Sequence, residues 1–263
     1  MRKYSIRYIL AKHAGTAGRP CPLLVSKERR KCVKISGLLK LTALDYPEKL
    51  ACTVFTAGCN LRCPFCHNAS LVCGSGEEIS EDEFFAFLKK RRGILDGVCI
   101  TGGEPLLQSK IAEFMKKIKD LGFLVKLDTN GAFPDRLSSL IDAHLVDYIA
   151  MDVKNCPEKY PLTCGVKGSY EEFFVPFKES IDILLKGKVD YEFRTTVVNE
   201  LHTLDDIKKA GEAIKGADKW FLQCFKDSGD LLGEGLSAPS KDILDKMKVL
   251  ALTFVKKCEI RGV

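Results

Sequence analysis

The stretch Val98-Cys99-Ile100-Thr101-Gly102-Gly103-Glu104-Pro105 reads as a short strand that stops at two glycines, an acid and a proline. A brief apolar run bounded by Gly-Gly and Pro suits a strand buried on both faces. Just downstream, Ile111, Phe114, Met115, Ile118 and Leu121 recur at the spacing of one helix face. Strand, turn and helix make one βα unit, and the unit recurs along the chain. Strands are predicted at residues 50–55, 98–101, 124–128, 148–152, 191–197 and 220–223. Between them, Ser80-Glu81-Asp82-Glu83 reads as a capping box opening a helix to about Arg91. Further apolar stripes are Phe173, Phe177, Ile181 and Leu184, then Leu204, Ile207, Ala210 and Ile214, and finally Ile243, Met247, Leu250 and Phe254. Six βα units are too few to close an eight-stranded barrel. They predict an α/β fold, a partial, open (β/α)6 barrel, with its chemistry at the carboxyl ends of the strands.

The chain has 263 residues, 46% hydrophobic and 29% charged, which is enough for one sizeable core. No apolar run approaches the roughly 18 residues of a membrane span. Residues 1–34 carry ten Lys/Arg against one acid, a charge of +9, which leaves −3 for the other 229 residues. The body is therefore not basic, and its charge makes no case for nucleic acid. Residues 1–32 read as a basic leader, disordered or absent from the mature protein, and residues 33–263 as one domain. The leader lacks a signal peptide's apolar centre, because Arg7 interrupts Ile6-Arg7-Tyr8-Ile9-Leu10; its Arg-rich, acid-poor character also allows an organelle transit peptide. Twelve cysteines in a chain of this length read as reduced thiols of a cytoplasmic protein, some of them metal ligands.

The first predicted strand runs into Cys59-Asn60-Leu61-Arg62-Cys63-Pro64-Phe65-Cys66, a C-x3-C-x2-C loop. Such spacing lets a chain curl around a metal cube and place each sulfur on a different iron. Three protein ligands on a four-iron cluster leave one iron open. The competing reading is zinc. A zinc tetrahedron needs a second ligand pair, and only His67 is adjacent. The remaining cysteines, Cys73 and Cys99 among them, read as buried or incidental thiols, and His13, His144 and His202 as surface or packing residues.

C-x3-C-x2-C with an aromatic before the last cysteine resembles the signature of radical S-adenosylmethionine (radical SAM) enzymes. Residues 58–68 resemble more narrowly the activating enzymes of glycyl-radical enzymes. Gly37-Leu38-Leu39-Lys40-Leu41-Thr42-Ala43-Leu44-Asp45-Tyr46-Pro47 is similar to the branch that activates anaerobic ribonucleoside-triphosphate reductase. The resemblance implies the open barrel of the radical SAM type. It implies a [4Fe-4S] cluster on Cys59, Cys63 and Cys66, the residues that carry the catalysis, with SAM chelating the open iron beside Phe65 and His67. It also implies a 5′-deoxyadenosyl radical, a glycyl-radical enzyme as protein partner, and a one-electron donor such as flavodoxin or ferredoxin. Pyruvate formate-lyase and other glycyl-radical enzymes are alternative partners. A 7-carboxy-7-deazaguanine synthase-like enzyme is an alternative activity, and a zinc-binding interaction module an alternative without catalysis.

Further motifs close the later strands. Gly102, Gly103 and Glu104 leave room for close backbone approach and aim a carboxylate at a cation; the resemblance assigns them to SAM's amino group. Asp128 and Thr129, by the same resemblance, help bind a monovalent cation. Strand alternation puts Asp152 and Lys154 on one face and Val153 on the other. The resemblance makes Asp152-Val153-Lys154 a SAM-binding motif of the activating enzymes. Arg194, mid-strand, needs an anionic partner, either SAM's carboxylate or an internal acid. Phe225 stands near where pyruvate formate-lyase activating enzymes carry a SAM-contacting histidine. The leader lies outside every one of these motifs. A chain beginning at Val33 is expected to unfold at the same denaturant midpoint as the full chain, and a lower midpoint would show that the leader belongs to the fold.

Overall fold

The computed structural model describes residues 32–72, 78–168 and 170–263. The leader up to Lys31, with Cys21, and the loop cysteine Cys73 lie outside the described residues. One sheet carries eight strands in chain order: β1 (Ile35–Thr42), β2 (Ala51–Thr56), β3 (Gly97–Gly102), β4 (Leu124–Thr129), β5 (Tyr148–Asp152), β6 (Asp190–Val197), β7 (Lys219–Cys224) and β8 (Lys257–Arg261). β1 pairs antiparallel with β2, and every later pair is parallel. β2 to β7 are the six predicted strands, within a residue or two at each end.

The sheet does not close, since its order runs from β1 at one edge to β8 at the other. These edge strands are the difference from the sequence reading. β1 is a hairpin partner outside the βα alternation. β8, Lys-Cys-Glu-Ile-Arg, is short and charged, as edge strands commonly are. It is nonetheless tied into the barrel. Glu192 of β6 is 1% exposed and takes a two-pronged bond from Arg261, Nη1 to Oε1 at 2.9 Å and Nη2 to Oε2 at 3.1 Å. Tyr148 Oη donates to the same carboxylate at 2.9 Å.

Helices α1 (Ala69–Val72), α2 (Glu81–Lys89), α3 (Ile111–Asp120), α4 (Pro134–Asp142), α5 (Tyr160–Thr163), α6 (Tyr170–Leu185), α7 (Leu204–Ala213) and α8 (Lys241–Ala251) join the strands. Ser80 caps α2 by accepting from Glu83 N at 3.1 Å. The reciprocal capping box is at α7, between Thr203 and Asp206. The buried face of α3 is the predicted one. That of α8 is shifted by one residue: Leu244, Met247 and Ala251 are buried, whereas Ile243 is 36% exposed. Phe254 falls past the helix end and lies against Gly211 of α7. Leu204 is likewise exposed, because it opens α7 beyond the reach of the core. No helix among the described residues is long and apolar enough to cross a membrane.

Removing one partner of a buried ion pair costs about 3–5 kcal/mol, because the other charge stays buried. Arg261 is 38% exposed, so solvent screens part of that cost. Arg261→Met should therefore lose about 3 kcal/mol or somewhat less in urea unfolding. Wild-type stability would mean that β8 is not held through Glu192.

Candidate active site

The cysteine loop has no helix or strand of its own between Ala57 and Asn68, so other segments must hold it. Arg62 N donates to Cys164 O at 2.8 Å, Gly233 N to Pro64 O at 2.8 Å, and Gly58 N to Leu71 O at 2.9 Å. The turn after β3 clasps it most closely. Gly103 N donates to Thr56 O at 2.9 Å, and Glu104 N to Gly58 O at 2.8 Å. A Cβ at Gly103 would stand 2.0 Å from Gly58 O, and Gly102 has φ +110° with Thr56 N only 2.4 Å from any added Cβ. The two glycines thus allow chain to pack on chain, and both also line the cavity, where a ligand's approach was expected.

The three cysteines line a cavity of about 240 Å³. Phe65 and His67 line it from the same loop, as do Gly102 and Gly103 from the β3 turn. Asp128, Asp152 and Lys154 line it from the ends of β4 and β5, and Arg194 from the middle of β6. Two predicted contacts are not on its lining. Val153 is 1% exposed and alternation turns it into the core; only its backbone works here, accepting from Thr195 Oγ1 at 2.7 Å. Glu104 lies behind the wall, fully buried, and is engaged by the protein rather than aimed at a cation. Its Oε1 accepts from Leu106 N at 2.9 Å and Thr129 Oγ1 at 2.9 Å, and its Oε2 from Asn130 N at 2.7 Å. One carboxylate thereby joins the turns after β3 and β4. Asn130 in turn donates to Asn60 Oδ1 at 2.9 Å, inside the cysteine loop.

A chain of charges crosses the strand ends. Lys126 Nζ bonds Asp128 Oδ1. Arg194 Nη1 bonds Asp128 Oδ2 at 3.0 Å, and its Nε bonds Asp152 Oδ1 at 3.0 Å. Lys154 Nζ bonds Asp152 Oδ2 at 2.7 Å. Arg194's anionic partners are thus internal acids. Burial favours the neutral form of Asp128, but Arg194 and Lys126 overcome it and hold the carboxyl at about 2. Burial likewise disfavours the Lys154 ammonium, and Asp152 more than offsets it, so Lys154 stays charged. That ammonium lies 6.0 Å from the centre of the Phe65 ring.

Four side chains gained roles that the sequence did not show. Lys126 is 2% exposed and anchors the charge chain. His202 is 5% exposed, with Nε2 2.8 Å from Lys154 O and Nδ1 accepting from Val198 N at 3.1 Å, so it positions the end of β5. Tyr160 Oη accepts from Lys154 N at 3.2 Å. Cys164 is fully buried, and its interaction with Cys63 lowers the Cys63 thiol against the effect of burial. Burial pushes Cys59 up to about 12 and raises Cys66. The His67 ring stacks on Phe225, centroids 5.7 Å apart at 25°. Among the described residues, no three His, Cys, Asp or Glu side chains are arranged to hold a single metal ion.

Known proteins resemble this chain in sequence and in fold. The Radical SAM superfamily profile matches residues 53–190. A protein of Methanocaldococcus jannaschii, provisionally named a glycyl-radical enzyme activating enzyme, is 33% identical over 237 residues, 87% of this chain and 96% of its own. The pyruvate formate-lyase-activating enzyme of Listeria monocytogenes is 30% identical over 217 residues, 73% of this chain and 85% of its own. A radical SAM methyltransferase from Sphaerobacter thermophilus shares the fold, with a TM-score of 0.61 at 14% identity over 82% of this chain and 68% of its own.

Burial raises the Glu104 carboxyl from its ordinary 4.5 to about 7, against the three bonds that favour its charged form. Between those values the folded chain binds more protons than the unfolded chain, so stability falls as pH rises through the window. Glutamine does not titrate. The stability of wild type relative to Glu104→Gln should therefore decline from about pH 4.5 to about pH 7. Parallel curves for the two proteins would contradict this.

Proposed function

Because this chain belongs to the radical SAM superfamily, we propose that it is an activating enzyme that installs a glycyl radical on a partner enzyme. The observation that carries the reading is a single cavity that brings together Cys59, Cys63 and Cys66 with Asp152 and Lys154. The donor set fits a cluster held by three sulfurs, because the nearby fourth thiol, Cys164, is fully buried and off the cavity lining. Zinc fits less well, since it takes four ligands at close range and the lining offers no second pair. Held by Cys59, Cys63 and Cys66, such a cluster would pass on one electron from an external donor for the reductive cleavage of SAM, the chemistry needed to remove a hydrogen atom from a glycine Cα.

The rest of the site binds and orients. Lys154 places positive charge at the cavity for the carboxylate of SAM's methionine, and Arg194, bonded to Asp128 and Asp152, holds the frame around it. Asp128 and Asp152 remain ionised and fix both cations in place. Burial, then the nearby Lys154 charge, lowers the proton affinity of His67, which leaves an uncharged ring of the kind a purine packs against. Gly102 and Gly103 present backbone rather than side chain to the ligand. Glu104 acts through others, by keeping the β3 and β4 turns against the cysteine loop.

Among partners, the likeness of residues 37–47 points to anaerobic ribonucleoside-triphosphate reductase, with pyruvate formate-lyase as the alternative to separate from it. The electron donor is a flavodoxin or ferredoxin, and the setting is the anaerobic cytoplasm, where thiols stay reduced.

The test is anaerobic reconstitution, a 5′-deoxyadenosine assay with SAM and reductant, and electron paramagnetic resonance of each candidate partner. Cys59→Ala, Cys63→Ala and Cys66→Ala should each abolish SAM cleavage, while Cys32→Ser, exposed and off the cavity lining, should not. Asp152→Asn and Lys154→Met should keep their iron and lower the nucleoside yield at least ~10-fold, about 1.4 kcal/mol. A surface ion pair would change little. Cleavage by Cys63→Ala would overturn the cluster. A glycyl radical on neither candidate would overturn both as partners, and one on no glycyl-radical enzyme would overturn the activating role.

A further inference from the structure

The family resemblance implies a monovalent cation beside Asp128 and Thr129, and the arrangement of these residues does not fit one. Both oxygens of Asp128 already face cations of the chain, Lys126 Nζ at Oδ1 and Arg194 Nη1 at 3.0 Å from Oδ2. Both oxygens of Asp152 do as well, Arg194 Nε at 3.0 Å and Lys154 Nζ at 2.7 Å. The Thr129 hydroxyl is engaged too: it donates to Glu104 at 2.9 Å and accepts from Gly131 N at 3.1 Å. Two carboxylates thus carry three fixed positive charges. No oxygen of either carboxylate is left without a cation for a further one to meet. The neighbouring acid on β6, Glu192, is matched by Arg261.

Lys126 is the unusual member. It is 2% exposed, on β4 two residues before Asp128 and on the same face, and lysine is seldom buried unless paired. An ammonium is a compact single charge that seeks oxygen, as a monovalent metal ion does. We propose that Lys126, together with Arg194, takes the place of a monovalent cation in this chain, so that the two strand-end carboxylates are set for SAM without Na+ or K+. Lys126 is then a positioning residue. Its link to SAM rests on the proposed function above, whereas the replacement of a metal ion by its ammonium does not.

The experiment compares salts of equal ionic strength with K+, Na+ or choline, which is too bulky for such a site. The first readout is thermal melting of the full chain without cluster. Wild type should melt at one temperature in all three salts, and Lys126→Met should melt lower in choline and recover in K+ or Na+. The second readout is SAM affinity of the reconstituted protein by equilibrium dialysis. Wild type should change by less than about twofold between salts, while Lys126→Met should bind at least ~10-fold more weakly in choline and be rescued by a metal ion. A wild type that needs K+ or Na+ in either readout would overturn the proposal. So would a folded Lys126→Met that no cation rescues. If Lys126→Met does not fold, the wild-type series decides alone, and Lys126→Arg, which keeps the charge, should stay indifferent to salt. Loss of all SAM binding would instead strike the proposed function, and the melting series would still judge the role of Lys126.

Discussion

The structure at the site depends on one guanidinium. Arg194 bonds Asp128 with one nitrogen and Asp152 with another, and so ties the carboxyl ends of β4 and β5 to the middle of β6. Each of these groups would be costly to bury alone. Together with Lys126 and Lys154 they form a set in which every charge meets its opposite. The set fixes the spacing of three strands on which the cavity is built. A planar fork reaches two carboxylates at once, which a lysine ammonium in the same place would do less rigidly.

The cysteine loop meets this frame through neutral contacts. Glu104 holds the β3 and β4 turns together, and Asn130 carries the link on to Asn60. Cys164 and Gly233 hold the far side of the loop through backbone bonds to Arg62 and Pro64. The sulfurs therefore sit at fixed positions although their loop has no regular structure. That is what a site prepared for a cofactor requires, since ligands already in position have less to reorganise on binding.

Much of this was legible in the sequence, because the decisive patterns are local. The six inner strands follow from apolar runs bounded by turn residues. Alternation alone put Asp152 and Lys154 on one face, and it also turned Val153 away, a result that the motif taken as a unit obscured. What was not legible depends on neighbours from other parts of the chain. Lys126 looks like a surface lysine until β3, β4 and β6 are assembled around it. Cys164 looks incidental until the turn after α5 meets Arg62. The face of α8 was misplaced because Phe254, taken as the end of its stripe, packs on Gly211 beyond the helix end, while the helix itself buries Leu244, Met247 and Ala251. The edge strands were hidden for the opposite reason: β8 is charged and partly exposed, and β1 is mostly half exposed with Ser36, Gly37 and Lys40 interrupting its apolar residues.

The central claim is that three sulfurs and one charge chain form a single cofactor site. The most direct measurement is iron and acid-labile sulfide analysis of the anaerobically reconstituted protein, with the paramagnetic resonance spectrum of its reduced form taken before and after SAM. The account predicts about four iron and four sulfide per chain and a spectrum that SAM changes. One zinc per chain, or a cluster spectrum indifferent to SAM, would contradict it.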